Sequence, residues 1–148
     1  MKVRDILKAK GGQCETIHPE ATIKEAMDRI MAKKIGALPV MKNKDLVGII
    51  TERDIFRLIY KHREDLRQIF DNKVADVMTT NLIIGVPDDD MEAVQALMTN
   101  NRFRHLPILD GKKLAGIVSI GDVVKMEAKN LKIENRYLQD YIVGKYPG

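Results

Sequence analysis

The chain has 148 residues, 45% of them hydrophobic and only 5% aromatic, with one cysteine and a formal net charge of +4. That length and apolar content allow one compact domain, or two small intertwined ones, with a real core. They exclude an internal disulfide, and the interleaving of basic with acidic residues ("KHREDLRQ", "TERD") argues against a nucleic-acid-binding stripe.

Taken in chain order, "MKVRDILKAKGG" lacks the apolar stretch of a secretory signal, and no later run is apolar for long enough to span a bilayer. The expectation is a cytoplasmic protein with no membrane contact, in which Cys14 is a bystander thiol in a reducing compartment. "CETIH" reads as a short strand. Thr22 is placed to cap a helix whose apolar residues Ile23, Ala26 and Ile30 recur at helical spacing. "ALPVM", the turn "KNKD" and "LVGII" then predict a hairpin, and a second helix begins at Thr51–Asp54. A charged helical connector is expected over 60–72.

The succession then repeats. "LIIGV" reads as a short strand, and Asp90 is placed to cap a helix through Met91, Val94 and Met98. "HLPIL", "DGKK" and "LAGIV" form a hairpin with an Asp-Gly turn, and Ser119–Asp122 opens another helix. With Pro19 laid over Pro87, every position out to Phe56 and Val124 pairs without a gap. The openings "VRDIL" at Val3 and "VADVM" at Val74 also correspond, with extra residues around Gly11 and Gly12 in the first copy. One β-α-β-β-α unit is therefore written twice, over 1–59 and 73–126, followed by a helical tail over 127–148 anchored by Leu131, Leu138, Tyr141 and Ile142 and ended by Gly144. Such a unit is too small to build a generous core alone, so the two copies are expected to pack through their sheets as an α/β (α+β) protein with pseudo-two-fold symmetry.

The Ser/Thr-x-x-Asp element supports two readings. A hydroxyl followed three residues later by a carboxylate is close to a capping box that satisfies orphan helix N–H groups. The same helix start also offers N–H donors and a positive dipole end to a phosphate, and the carboxylate is a double acceptor for ribose hydroxyls. Its repetition in register, as Thr51 with Asp54 and Ser119 with Asp122, favours a matched pair of cradles.

These features resemble a stand-alone tandem pair of CBS motifs, the Bateman module named after cystathionine β-synthase, over about Val3 to Met126. The resemblance rests on "GALPVMKNKDLVGIITERDI" and "RHLPILDGKKLAGIVSIGDVV", each after a Pro-led helix, and extends to short bacterial and plant-organelle CBS-pair proteins. It implies a non-catalytic regulatory site for an adenosine-containing nucleotide (AMP, ADP or ATP, with NAD or S-adenosylmethionine as further choices) in clefts between the copies. Carried onto this sequence, Asp54 and Asp122 would accept from ribose, and Thr51 and Ser119 would donate toward ribose or phosphate. The backbone at Ile17–His18 and Gly85–Val86 would meet adenine edges. Arg104 and His105 would hold phosphate where the first copy has only Gly36 and Ala37, so firmer phosphate binding is expected on the Asp122 side, and Arg53 is a further phosphate candidate.

Other chemistries fit less well. Ser119 and His105 suggest a hydrolase, yet there is no nucleophile elbow and the first copy has Ala37 at the histidine position. His18, His62 and His105 lack metal-ligand spacing, so magnesium would enter only with ATP. The resemblance further implies a homodimer, in which helical faces of two chains make a flat disc, and an energy-sensing signal to a downstream protein. The alternatives are a structural dimerisation scaffold with empty clefts and an adaptor that regulates a redox protein.

Overall fold

In the computed structural model, which describes residues 1–130, each half of the chain builds the same succession of elements. The first half contains α1 (Val3–Lys10), α2 (Ile23–Lys33), β1 (Ala37–Lys42), β2 (Asp45–Thr51) and α3 (Glu52–Lys61). The second contains α4 (Val74–Val77), α5 (Met91–Asn101), β3 (His105–Asp110), β4 (Lys113–Ser119) and α6 (Ile120–Asn130). The tail anchors from Leu131 onward lie outside the described residues.

Local chemistry accounts for the element ends. The Thr22 hydroxyl accepts the Glu25 N–H at 3.2 Å and so caps α2. Asp90 precedes α5 as expected but makes no cap hydrogen bond, because its carboxylate is paired with Lys2 at 2.8 Å. Both helices stop at a left-handed residue, Lys34 and Arg102, each with φ 55°. The hairpins β1–β2 and β3–β4 are antiparallel and slip register at matching places, beside Gly48 and Gly116.

The short strands expected at "CETIH" and "LIIGV" are reduced to one parallel bridge each, Ile17 with Val40 and Gly85 with Ile108. Ile17 donates to the Pro39 carbonyl and accepts from the Met41 N–H. The next donor along that ladder would be Pro19, or Pro87 in the second copy, and proline has no N–H to give. The connector also carries less helix than expected. Beyond Lys61 it is turn, with a single 3-10 turn at Ile69–Asp71, because Ile69 is drawn into the first core and is only 3% exposed.

The packed unit is not the linear copy. Val3 and Ile6 of α1 are buried with Met91, Val94, Leu106 and Val118 of the second half. Val74 of α4 is buried with Ile23, Leu38 and Ile50 of the first. The two opening helices are thus exchanged, and β2 and β4 meet at the seam. Full burial of such an aliphatic side chain is worth roughly 1.5–3 kcal/mol, so each half is stabilised by a segment of the other.

Candidate functional site

At the seam the two halves enclose a cavity of about 370 Å³, within the size range of small-molecule sites. Its first wall is Gly36 and the start of α3, from Thr51 to Asp54 with Arg57; the facing wall is Asn101 and Phe103–His105. A third side is the segment from Asn81 to Ile83, with Thr79.

Asp54 is the most constrained polar group of the cavity. It is 8% exposed. Its Oδ2 accepts the Thr51 N–H at 2.9 Å and the Thr51 hydroxyl at 3.2 Å, while its Oδ1 accepts the Thr79 hydroxyl at 3.0 Å. The Asp54 N–H in turn donates to Thr51 Oγ1 at 3.3 Å, completing a capping box. A carboxylate has about four acceptor sites, so these bonds leave capacity for one more donor.

The cations come from both halves. Arg53 and Arg57 stand on α3, and Arg104 comes from the strand entry opposite. One Arg53 nitrogen donates to the Arg102 carbonyl at 3.1 Å, tying α3 to the end of α5. His105 is held below the usual imidazole pKa by burial, against the opposing pull of Glu52 and Asp122, so it is neutral at pH 7. A Cβ on Gly36 would stand 2.8 Å from Glu52 Oε1 and 2.9 Å from His105 Nε2, so the close approach of the halves here favours glycine.

A second recess of about 540 Å³ lies across His105 and is bounded by Lys34, Ile35, Ser119, Ile120 and Gly121. Ser119 and Asp122 repeat the capping geometry: the Ser119 N–H donates to Asp122 at 2.9 Å, and Ser119 Oγ accepts the Asp122 N–H at 3.0 Å. Asp122 does not line this recess, and its Oδ2 is 2.8 Å from the Lys10 ammonium. Burial pushes the Asp122 carboxyl up, but Lys10 and the Ser119 N–H outweigh it and hold the group below its ordinary range.

The structure gathers six of the expected residues, Gly36, Thr51, Arg53, Asp54, Arg104 and His105, in the first cavity. Ala37 is buried behind it, paired with Thr51. Ile17, His18, Gly85 and Val86 do not line it, and all four have their backbone engaged elsewhere, the His18 carbonyl accepting the Ala21 N–H at 3.0 Å. Ile17 and Gly85 bond the proline strands, and Val86 donates to Asp89 at 2.9 Å. The backbone of Asn81–Ile83 makes no hydrogen bond among the described residues. Arg104 and His105, expected on the Asp122 side, lie between the two recesses: they face Thr51 and Asp54 across the first cavity and also line the second beside Ser119.

Sequence reasoning missed Arg57, Thr79 and Asn81–Ile83. Arg57 follows Arg53 by one helical turn, a visible signal. Thr79 had none, because its position depends on the exchange of α4. Among the described residues no three His, Cys, Asp or Glu side chains are grouped to hold a metal, and no helix is long and apolar enough to cross a membrane.

Comparison with known proteins agrees with the repeat. The CBS domain family profile matches residues 3–61 and 74–129. The chain is similar to the CBS domain-containing protein CBSX3, mitochondrial, of Arabidopsis thaliana, at 35% identity over 97% of this chain and 73% of the relative. Among solved structures it is similar to the CBS domain protein NE2398, at 39% identity and TM-score 0.79 over 86% and 97% of the two chains. The CBS domain pair of MJ0100, in complex with 5′-methylthioadenosine and S-adenosylmethionine, is 25% identical with TM-score 0.76 over 88% and 98%. CBSX2 in complex with AMP is 25% identical with TM-score 0.72 over 86% and 96%.

Proposed function

The chain belongs to the CBS domain family as a tandem pair, and on that premise we propose that its first cavity binds an adenine nucleotide, AMP foremost, as a regulatory ligand. The carrying observation is that the Thr51–Asp54 helix start faces Arg104 across a cavity that also holds Arg53 and Arg57. The ligands of the two neighbours share adenosine, so the common part of the site is for ribose and base, and the remainder selects the tail.

In this reading Asp54 takes a ribose hydroxyl beside Thr51. The base lies against Ile49, Leu82 and Pro107, with the free backbone of Asn81–Ile83 at its edge. The phosphate meets the arginines and the N–H groups that open α3. Three arginines favour an anionic tail over the cationic sulfonium of S-adenosylmethionine; ADP, ATP and NAD extend the same tail, with magnesium entering only with ATP. Because the walls come from both halves, the ligand shifts their relative setting by as much as it prefers one arrangement. The protein is read as non-catalytic, passing that shift to a partner protein.

Phe56, Tyr60 and Val124 are 68%, 60% and 53% exposed, with Phe56 and Val124 at matching repeat positions, which supports a homodimer through these helices. The scaffold reading has its own observation: both Asp54 oxygens are already bonded within the protein. Burial raises the Cys14 pKa and so suppresses its thiolate, which disfavours thiol chemistry at Cys14 itself; regulation of a redox protein as an adaptor does not depend on that thiol.

Thermal shift with AMP, ADP, ATP, NAD and S-adenosylmethionine separates these readings. AMP should raise the melting temperature of the intact protein and leave Asp54→Ala unmoved. A flat response across all five ligands would support the scaffold.

A further inference from the structure

The carboxylates that open α3 and α6 are held by different partners. In the first half the Ile49 carbonyl accepts the Thr79 N–H at 2.8 Å, and Asp54 accepts the Thr79 hydroxyl at 3.0 Å. The matching acceptors of the second half are the Ile117 carbonyl and Asp122. There the Lys10 ammonium donates to the Ile117 carbonyl at 2.7 Å and meets Asp122 Oδ2 at 2.8 Å, the oxygen that also accepts the Ser119 N–H, whereas Thr79 takes Oδ1 of Asp54.

The equivalence of the two neighbourhoods is independent of that contact. A Cβ on Gly48 would strike Met78 Sδ at 2.6 Å, and a Cβ on Gly116 would strike Leu7 Cδ2 at 2.9 Å, so α4 and α1 lie over matching glycines. They end differently. α4 stops at Val77, and the chain runs on extended to bridge Thr79 with Ile49. α1 continues to Lys10 and stops at Gly11 (φ 61°), at the pair of glycines that the second copy lacks. At the place of Lys10 the second opening segment has Asn81, which lines the first cavity.

We propose that Lys10 is an occupancy-determining residue that fills the ribose position at Asp122, so that the intact chain binds one adenine nucleotide, at Asp54, and not two. The second recess is not small, but it ends at Gly121 and reaches neither Asp122 nor Lys10. It keeps a helix start and Arg104 for a phosphate, while the carboxylate that would hold the sugar lies outside its lining, behind the Lys10 side chain. The inference rests on the nucleotide reading of the Asp54 cleft.

Isothermal titration with AMP on the intact chain, Lys10→Ala and Lys10→Asn tests it, with circular dichroism as the fold check and Lys10→Asn as the gentler change. The expected result is one AMP per intact chain and two per Lys10 variant, with the added site lost when Asp122→Ala is combined. A variant that still binds one overturns the inference and leaves the nucleotide reading standing. Two AMP in the intact chain, with weaker binding in the variants, also overturns it, because Lys10 would then be holding ligand. If the intact chain binds none and a Lys10 variant binds one that Asp122→Ala removes, the latch stands and the Asp54 reading fails. If no form binds, both fail.

Discussion

At the scale of single residues, Asp54 does two jobs that can be separated by measurement. As a cap and as the acceptor for Thr79 it is structural, and removing it leaves orphan donors at the start of α3. Asp54→Ala should therefore cost about 1–3 kcal/mol of unfolding free energy in urea, with an unchanged m-value. His105 carries a pH dependence of definite sign. Its folded pKa is depressed by burial, so the stability it contributes is full above the ordinary imidazole value near 6.5 and is lost as pH falls through the lower folded value. The groups facing it are Glu52 and Asp122, which favour its protonation, and Lys10 and Arg104, which oppose it. A bound phosphate adds to the first pair. AMP binding at pH 6.5 should take up more protons in the intact chain than in His105→Gln, read by calorimetry in buffers of different ionisation heat, the difference separating the imidazole from the phosphate, whose own second ionisation lies at about 6.

At the scale of elements, the repeat was legible because its markers are local: Pro19 and Pro87, the hairpin turns, and the hydroxyl–carboxylate pair that opens a helix. The exchange of α1 and α4 was not legible. An apolar pattern such as Val3 with Ile6 says that one face is buried but not in which core, since both cores are aliphatic and either would accept it. The same blindness hid Thr79 and Lys10, which reach their carboxylates only through that exchange. Ile17 and Gly85, expected at the adenine edge, are bonded to the hairpins for a different reason: each lies two residues before a proline that has no N–H to donate, and so is the last to be bonded within its ladder. The exchange makes a regional prediction. Ile6→Ala should cost about 2–5 kcal/mol and lower hydrogen-exchange protection in β3 and β4, sparing β1 and β2. Val74→Ala should loosen β1 and β2 instead. Loss of protection confined to the variant's own linear copy would contradict the exchanged packing.

At the scale of the whole molecule, two near-equal halves are joined so that neither completes its core or its cleft alone. A ligand lodged between Asp54 and Arg104 therefore touches both halves, which is the condition for a bound nucleotide to alter the outer helix faces where Phe56 and Val124 are exposed. The asymmetry between Thr79 and Lys10 leaves one cleft lined by its carboxylate and the other with that carboxylate paired. The most direct measurement is calorimetric titration of AMP into the intact chain, Asp54→Ala and Asp122→Ala, each checked as folded. The account predicts saturable binding to the intact chain that survives Asp122→Ala and disappears in Asp54→Ala. Absence of binding to the intact chain, or binding that survives Asp54→Ala and is lost in Asp122→Ala, would contradict it.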